Sequence, residues 1–359
     1  MLRGDASKNQ LTVALGLTAA VGTGAAALVL LGNPGNMGIC GACFLRDTAG
    51  ALGLFDGKPR IFRPEVVAVI LGALLLAVAR GRFEARSGSH AATRFTMGLL
   101  MAFGSLVFLG CPFRMLQRIG GGDLNAVVAL IGFIPGVGLG LFFETKGYRV
   151  GRTNVVSPAV GLLGPLVFVG ILAMFLVGGV LIGPGPGETS GPPHAPWLTA
   201  LLIAGAAGAI LSLTGFCAIS AARQIFQKRK RMLVAAVCLI AAYAIVLAVA
   251  GRFSLSFEGQ PAAHGDHLWS ILAMALVGLT GALAGGCPVR QIVMTGEGNG
   301  DAFVTVAGIL IGGALAHSLG IASSGAGTTS AGHTAVIVGL IVAIGYGALY
   351  TFGPRPDDT

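Results

Sequence analysis

Ten apolar runs recur along the chain, near residues 11–31, 64–80, 94–110, 123–144, 158–182, 197–213, 232–250, 268–285, 301–322 and 334–353. A helix needs about 20 apolar residues to cross a bilayer. The longer runs meet that length, and the shorter ones predict helices that tilt or recruit flanking residues. Four further pieces, 36–54, 111–121, 214–226 and 287–297, are apolar and Gly-rich. They are too short to span and too apolar for ordinary loops. Irregular backbone at membrane depth is tolerated only inside protein or along a cavity, so these pieces predict re-entrant half-helices. The fold class is therefore an all-α polytopic membrane protein.

Composition agrees. The 359 residues are 54% hydrophobic and 10% charged, more apolar surface than a soluble domain can hide. The 59 glycines suit membrane helices whose backbones approach closely. No segment is large and polar enough for a cytosolic catalytic module. The net charge of +9 does not call for a nucleic-acid partner, because the basic residues sit in short loops between apolar runs; lipid is the partner such loops imply. With the N-terminus inside and ten crossings, the inside segments are the N-terminal tail, 80–94, 145–157, 222–231, 286–300 and the C-terminal tail. These hold 16 of the 23 Lys and Arg, including Lys228-Arg229-Lys230-Arg231, while the loop 183–196 has none and falls outside. Both termini are thus expected in the cytoplasm. The run 11–31 is long for a signal peptide and predicts an uncleaved first span.

The two halves share a motif. Gly110-Cys111-Pro112-Phe113-Arg114 returns as Gly286-Cys287-Pro288-Val289-Arg290, 176 residues later, and the match continues through Gly120, Gly122 and Ala126 against Gly296, Gly298 and Ala302. Gly38-Ile39-Cys40 through Arg46 likewise matches Gly215-Phe216-Cys217 through Arg223, at an offset of 177. In the charge-derived topology Cys40 and Cys111 start from the outer side, Cys217 and Cys287 from the inner side. Equivalent elements then run in opposite directions, which predicts two inverted-topology repeats with a site near the bilayer midplane. Residues 1–150 form the first membrane repeat, and 151–359 the second plus additional spans.

Cys-Pro reads as a helix start, with proline at the first helical position, where its missing amide costs nothing, and cysteine at the N-cap. Unpaired amides and the helix dipole make that end attractive to anions. A thiol is a weak, soft partner, so thiols there favour a species with an accessible sulfur or selenium atom. Arg46, Arg114, Arg223 and Arg290 are placed to draw anions towards the two mouths, since an arginine at membrane depth is functional by default, although snorkelling is the plainer reading. Packing is the plainer reading of any lone intramembrane cysteine and the one adopted for Cys238, which has no mate. Cys40-x-x-Cys43 also reads as a redox pair or half a zinc site, but its mate Cys217-x-x-Ser220 lacks the second thiol. His317 reads as a packed polar residue, and Gly122-Asp123, Glu297 and Gly298-Asn299 as turns and caps. Carboxylates are nearly absent from the apolar runs, which argues against a proton relay. Six cysteines in such a chain are not a secreted disulfide framework.

The sequence resembles the YeeE/YedE family of sulfur-compound transporters, above all its YedE-type branch, described as selenium transporters. The residues carrying the likeness are Gly32-Asn33-Pro34-Gly35-Asn36-Met37-Gly38-Ile39-Cys40, Cys43-Phe44-Leu45-Arg46-Asp47, Leu109-Gly110-Cys111-Pro112-Phe113-Arg114-Met115 with Gly120-Gly121-Gly122-Asp123-Leu124-Asn125-Ala126, and Ala284-Gly285-Gly286-Cys287-Pro288-Val289-Arg290. The resemblance implies an hourglass-like bacterial inner-membrane transporter whose short helices meet at a narrow centre, where cysteines pass a thiosulfate-like substrate in relay. Cys111 and Cys287 are the positions it carries over, with Cys40 and Cys217 next. It implies no cofactor, and a small cytosolic sulfur-carrier protein as partner. Sulfur and selenium are alike in size and softness, and these residues do not separate them. The competing readings are a membrane thiol enzyme, of sulfurtransferase or disulfide-exchange type, and a partner-binding membrane protein. The enzyme needs an activated thiolate with a base beside it, and no His or Lys flanks any of the four cysteines. The partner-binding reading leaves the matched thiols unexplained.

Overall fold

The computed structural model describes residues 2–353, with side chains from residue 11 onward. The C-terminal tail at 354–359 and the side chains of Arg3 and Lys8, all assigned inside by charge, lie outside the described residues.

Every apolar run becomes a helix. In chain order the described residues form α1 Leu2–Leu30, α2 Gly41–Ala51, α3 Pro64–Ala79, α4 Ala91–Phe108, α5 Pro112–Gly120, α6 Leu124–Thr145, α7 Pro158–Val177, α8 Trp197–Thr214, α9 Ala218–Phe226, α10 Arg231–Val249, α11 His267–Leu283, α12 Pro288–Gly296, α13 Gly300–Ser318 and α14 Ser330–Phe352. Among the described residues nine helices are long and apolar enough to cross a membrane, which makes the chain a multi-pass membrane protein. The run 64–80 yields only α3, whose 16 residues cover about 24 Å at 1.5 Å per residue. The four short apolar pieces become the four short helices α2, α5, α9 and α12.

Local chemistry sets several boundaries. Proline opens α3, α5, α7 and α12. Helix α7 stops at Val177, five residues before its apolar run ends, because Gly178 and Gly179 take φ of 75° and 68°, which no helix continues. Helix α14 starts ahead of its run, where Thr329 caps it by accepting from the Gly332 amide at 2.9 Å. The chain is not purely helical: β1 Arg86–Ser87 pairs antiparallel with β2 Asn154–Val155 and ties two loops together.

The principal helix partners are α6 with α11, α4 with α13, α3 with α8, and α1 with α10. Small residues permit the close crossings. At α3–α8, a Cβ on Gly72 would strike the carbonyl of Gly205, and one on Gly208 the backbone of Val69. Outward faces carry Leu75, Ile131, Val177, Ile245 and Val249, all exposed and suited to lipid.

Loop contacts fall into two sets. In one, Arg86 bonds Gly298, and Asp301 accepts from Ser87, Gly88, Ser89 and Thr153. In the other, Asn33 meets Ala195, Arg63 meets Pro193, Gly121 and Gly122 meet Ser254 and Ser256, and Asp266 meets Thr328. The first set joins loops that the basic residues place inside, and the second joins loops placed outside.

The α3–α8 crossing sets a test of this packing. Gly208→Leu should lower the temperature at which the detergent-solubilised protein loses its gel-filtration peak, the overpacking costing about 1–3 kcal/mol. Gly205→Ala, whose Cβ would lie 3.7 Å from the nearest carbonyl oxygen, should leave that temperature unchanged or raise it. Equal losses in the two variants would contradict the close backbone approach.

Candidate functional site

Each of the four short helices begins at a cysteine. Cys40 is the N-cap of α2, Cys111 of α5, Cys217 of α9 and Cys287 of α12, all with extended backbone. In α5 and α12 the next residue is proline, so these two helices start alike, with cap ψ of 168° and 165°. Extended backbone at the cap and a preset proline φ are what the Cys-Pro pair dictates.

The four caps meet in the core. Cys40 Sγ lies 3.6 Å from Cys111 Sγ, and the Cys287 amide donates to Cys217 Sγ at 3.3 Å. The two pairs are joined through Gly41, packed against Pro288 and Val289, and through the edge-on contact of Phe113 with Phe216, ring centres 6.1 Å apart. From this centre α2 and α5 run towards one set of loops: Ala51 O accepts from Ile182, and Gly121 O from Ser254. Helix α12 runs towards the other set, ending at Glu297 and Gly298 beside Arg86. The positive ends of four helix dipoles thus converge where four thiols sit.

The centre is closed. All four cysteines are at most 2% exposed. A void of about 10 Å³ lies beside Cys40, between Gly41, Phe44, Val66 and Val289, which is room for about one water. Cys43, whose role the sequence left open, is buried one turn into α2; its amide donates to Cys40 Sγ at 3.4 Å, and its own sulfur lies 3.9 Å from Arg114 Nη1. Cys238 sits apart on α10, partly exposed. Among the described residues no group of three or more His, Cys, Asp or Glu is gathered to hold a metal.

The loops into the centre are fastened by groups that the motif reading passed over. Gln117, fully buried on α5, accepts from the amides of Gly38 at 2.9 Å and Ile39 at 3.1 Å and donates back to Ile39 O. It holds the approach to Cys40. Leu109 adopts a left-handed conformation, φ 62°, just before Gly110-Cys111, and Gly285 does the same at φ 84° before Gly286-Cys287. A leucine in that region costs about 1–3 kcal/mol and persists only where its surroundings enforce it. Here Arg114 Nη1 donates to Leu109 O at 2.6 Å.

The four arginines are not equivalent. Arg46 pairs with Asp47 at 2.6 Å and meets His317 at 3.0 Å, with His317 stacked on Phe55. Arg223 pairs with Glu144, and Arg290 is bidentate on Glu297 at 3.0 and 3.1 Å. Arg114 bonds instead to the carbonyls of Asn36, Leu109 and Gly35. It therefore brings a positive charge into the core against carbonyl dipoles and sulfur. Asp123 and Asn299 cap α6 and α13, after Gly122 and Gly298 at φ 91° and 96°, and Glu297 closes α12.

Carboxylates are few in the apolar runs, but two of them lie in the interior: Asp47 in α2 and Glu65 in α3 are buried, at 0% and 1% exposure. Asp47 holds Arg46 on one oxygen and Arg63 on the other, at 2.6 and 2.7 Å, and Glu65 accepts from Asn33 at 2.8 Å. In the sequence Glu65 sits at the edge of an apolar run and Asp47 beside Arg46, positions where a charge ordinarily lies near water.

The sequence matches no model of a known protein family, and no curated protein matches it either.

Asp47 offers a direct check of this architecture. Asp47→Ala strands two buried guanidinium groups and should cost about 3–5 kcal/mol, read as loss of protein surviving detergent extraction and heating. Asp56→Ala, which removes a solvent-exposed partner of Arg60, should change nothing measurable. Unaltered stability in Asp47→Ala would overturn the buried ion cluster.

Proposed function

We propose that this chain is an inner-membrane transporter of a small sulfur- or selenium-containing species, a thiosulfate-like anion or a selenium compound, related to the YeeE/YedE family. The observation that carries the reading is the convergence of Cys40, Cys111, Cys217 and Cys287, each capping a short helix, at one buried centre. Four helix N-termini favour a negative charge there. Thiols, rather than hydroxyls or ammonium groups, favour a polarizable atom on the species that carries it. Arg114, without a carboxylate partner in its hydrogen bonds, adds to the attraction. The closed centre corresponds to an occluded state.

We read the architecture as two inverted-topology repeats with re-entrant short helices meeting near the midplane, an hourglass with residues 1–150 as one half. Helix equivalence supports this. Exchanging α1 with α8, α3 with α10, α4 with α11 and α6 with α13 turns the α6–α11 contact into α4–α13, and α3–α8 into α1–α10. Helices α5 and α12 correspond residue for residue at the 176-residue offset, and α7 and α14 are the additional spans. In this reading the Lys228–Arg231 side is the cytoplasm, both termini lie there, and a small sulfur-carrier protein receives the cargo on that side.

A membrane thiol enzyme is the second reading, favoured by the 3.6 Å approach of Cys40 and Cys111. It lacks a base among the described residues: the polar neighbours of Cys40, Cys111 and Cys217 are backbone amides and another thiol, the nearby Arg114 bonds to Cys43, and none of these can take a proton from a nucleophile.

Two outcomes check the proposal. Cys111→Ala and Cys287→Ala should each reduce thiosulfate uptake into vesicles to background with the protein still folded, whereas Cys238→Ala stays near wild type. Serine at Cys111 or Cys287 should also transport poorly, because its harder hydroxyl prefers oxygen partners. Active Ser variants would rule out soft-atom recognition, and a kinetically competent persulfide on either cysteine, seen by mass spectrometry, would favour the enzyme. For topology, reporters in the 183–196 loop and at 228–231 should lie on opposite sides; the same side for both would overturn the inverted arrangement.

A further inference from the structure

Glu65 stands between two cavities. The larger, about 540 Å³, opens among the second set of loops, with Leu31, Phe62, Phe175, Trp197 and the 184–196 segment as its walls. The smaller is the void beside Cys40. Glu65 lines both, and it is 1% exposed. Its Oε1 accepts from Asn33 Nδ2 at 2.8 Å, while its Oε2 is buried with no hydrogen-bond partner among the described residues.

The charged groups around it are already engaged. Arg63, the adjacent cation, donates to Asp47 at 2.7 Å and to Pro193 O at 3.1 Å. From the 184–196 segment, His194 has both ring nitrogens on carbonyls, those of Pro192 and Glu188, and Glu188 is itself acidic. Leu31, just after α1, and helices α7, α8 and α12, through Phe175, Trp197, Val289 and Ile292, face the two cavities with apolar groups. An ionised Glu65 would therefore be a negative charge in low dielectric without its own counter-ion, which is costly, and it would repel any anion moving from the outer cavity towards Cys40.

We propose that Glu65 is a proton-loading site and an anion-binding subsite of the outer cavity: the neutral acid donates a hydrogen bond from Oε2 to an anion on its way to the cysteine centre. The proton comes from the outer solution and returns there once the anion has passed. Glu65 thereby admits anions only when protonated. This rests on the transport reading above, in which the cysteines receive the anion.

The test has a transport arm and a spectroscopic arm. In vesicles, thiosulfate uptake by wild type should fall as external pH rises from about 5 to about 9, by up to about tenfold per unit as for one required proton. Uptake by Glu65→Gln, a permanently neutral mimic, should stay flat over that range. In the purified protein without substrate, infrared difference spectra should show a protonated carboxyl band that disappears as pH rises and is missing in Glu65→Gln. In Asn33→Ala the band should move to higher frequency, because the carbonyl loses its donor. A wild-type pH profile in Glu65→Gln would overturn the proposal. So would the absence of a titrating Glu65 band, or a band unmoved in Asn33→Ala. If wild type takes up no thiosulfate, the transport reading fails, and the infrared arm still decides whether Glu65 loads a proton.

Discussion

In hydrocarbon a helix cannot end in the open, because the amides of its first turn have neither water nor another turn to bond. Four short helices that begin deep in a membrane protein are therefore possible only if something else surrounds their ends. Here each of those ends is packed against another: Gly41 lies on Pro288 and Val289, Phe113 on Phe216, Cys40 on Cys111 and Cys217 on Cys287. Much of the remaining structure serves this closure. Small residues draw the long helices together, Gln117 and Arg114 hold the loops by their backbones, and Asp47 locks Arg46 and Arg63 behind α2.

The same constraint links packing to chemistry. A core that must satisfy four helix starts without water is a core with a positive potential and little solvent, where an anion is stabilised by dipoles fixed in advance. The caps are thiols rather than carboxylates, so no acidic cap side chain opposes that potential at the four helix starts. Carboxylates sit one layer out. Asp47 is neutralised by two arginines, and Glu65, between the larger cavity and the void at Cys40, is held by a single amide donor.

Much of this was legible in the sequence. The apolar runs located the helices, the Gly-Cys-Pro-x-Arg pair located two helix starts, and the matching offsets brought Cys40 and Cys217 into the same class. Proline and cysteine made α5 and α12 readable because their preferences are local. What was not legible depends on contacts distant in the chain. Gln117 reaches back to Gly38 and Ile39, and Glu65 to Asn33. Asp47 and Glu65 stand next to arginine or at the edge of an apolar run, where a charge ordinarily marks the water boundary, and only the tertiary fold buries them. The arginines were read as a set of equivalents, yet three have acidic partners and Arg114 has carbonyls; Asp47 and Glu297 stand one and seven residues from Arg46 and Arg290, whereas Glu144 and Asn36 reach Arg223 and Arg114 only through the tertiary fold.

The central claim is that the four cysteine caps form a binding centre for a soft-atom anion. A selenium-edge anomalous difference map from crystals of the protein grown with selenosulfate tests it most directly. The account predicts a selenium peak among Cys40, Cys111, Cys217 and Cys287, at non-bonded distance from every cysteine sulfur. Selenium covalently attached to a cysteine, or bound only away from these four residues, would contradict it.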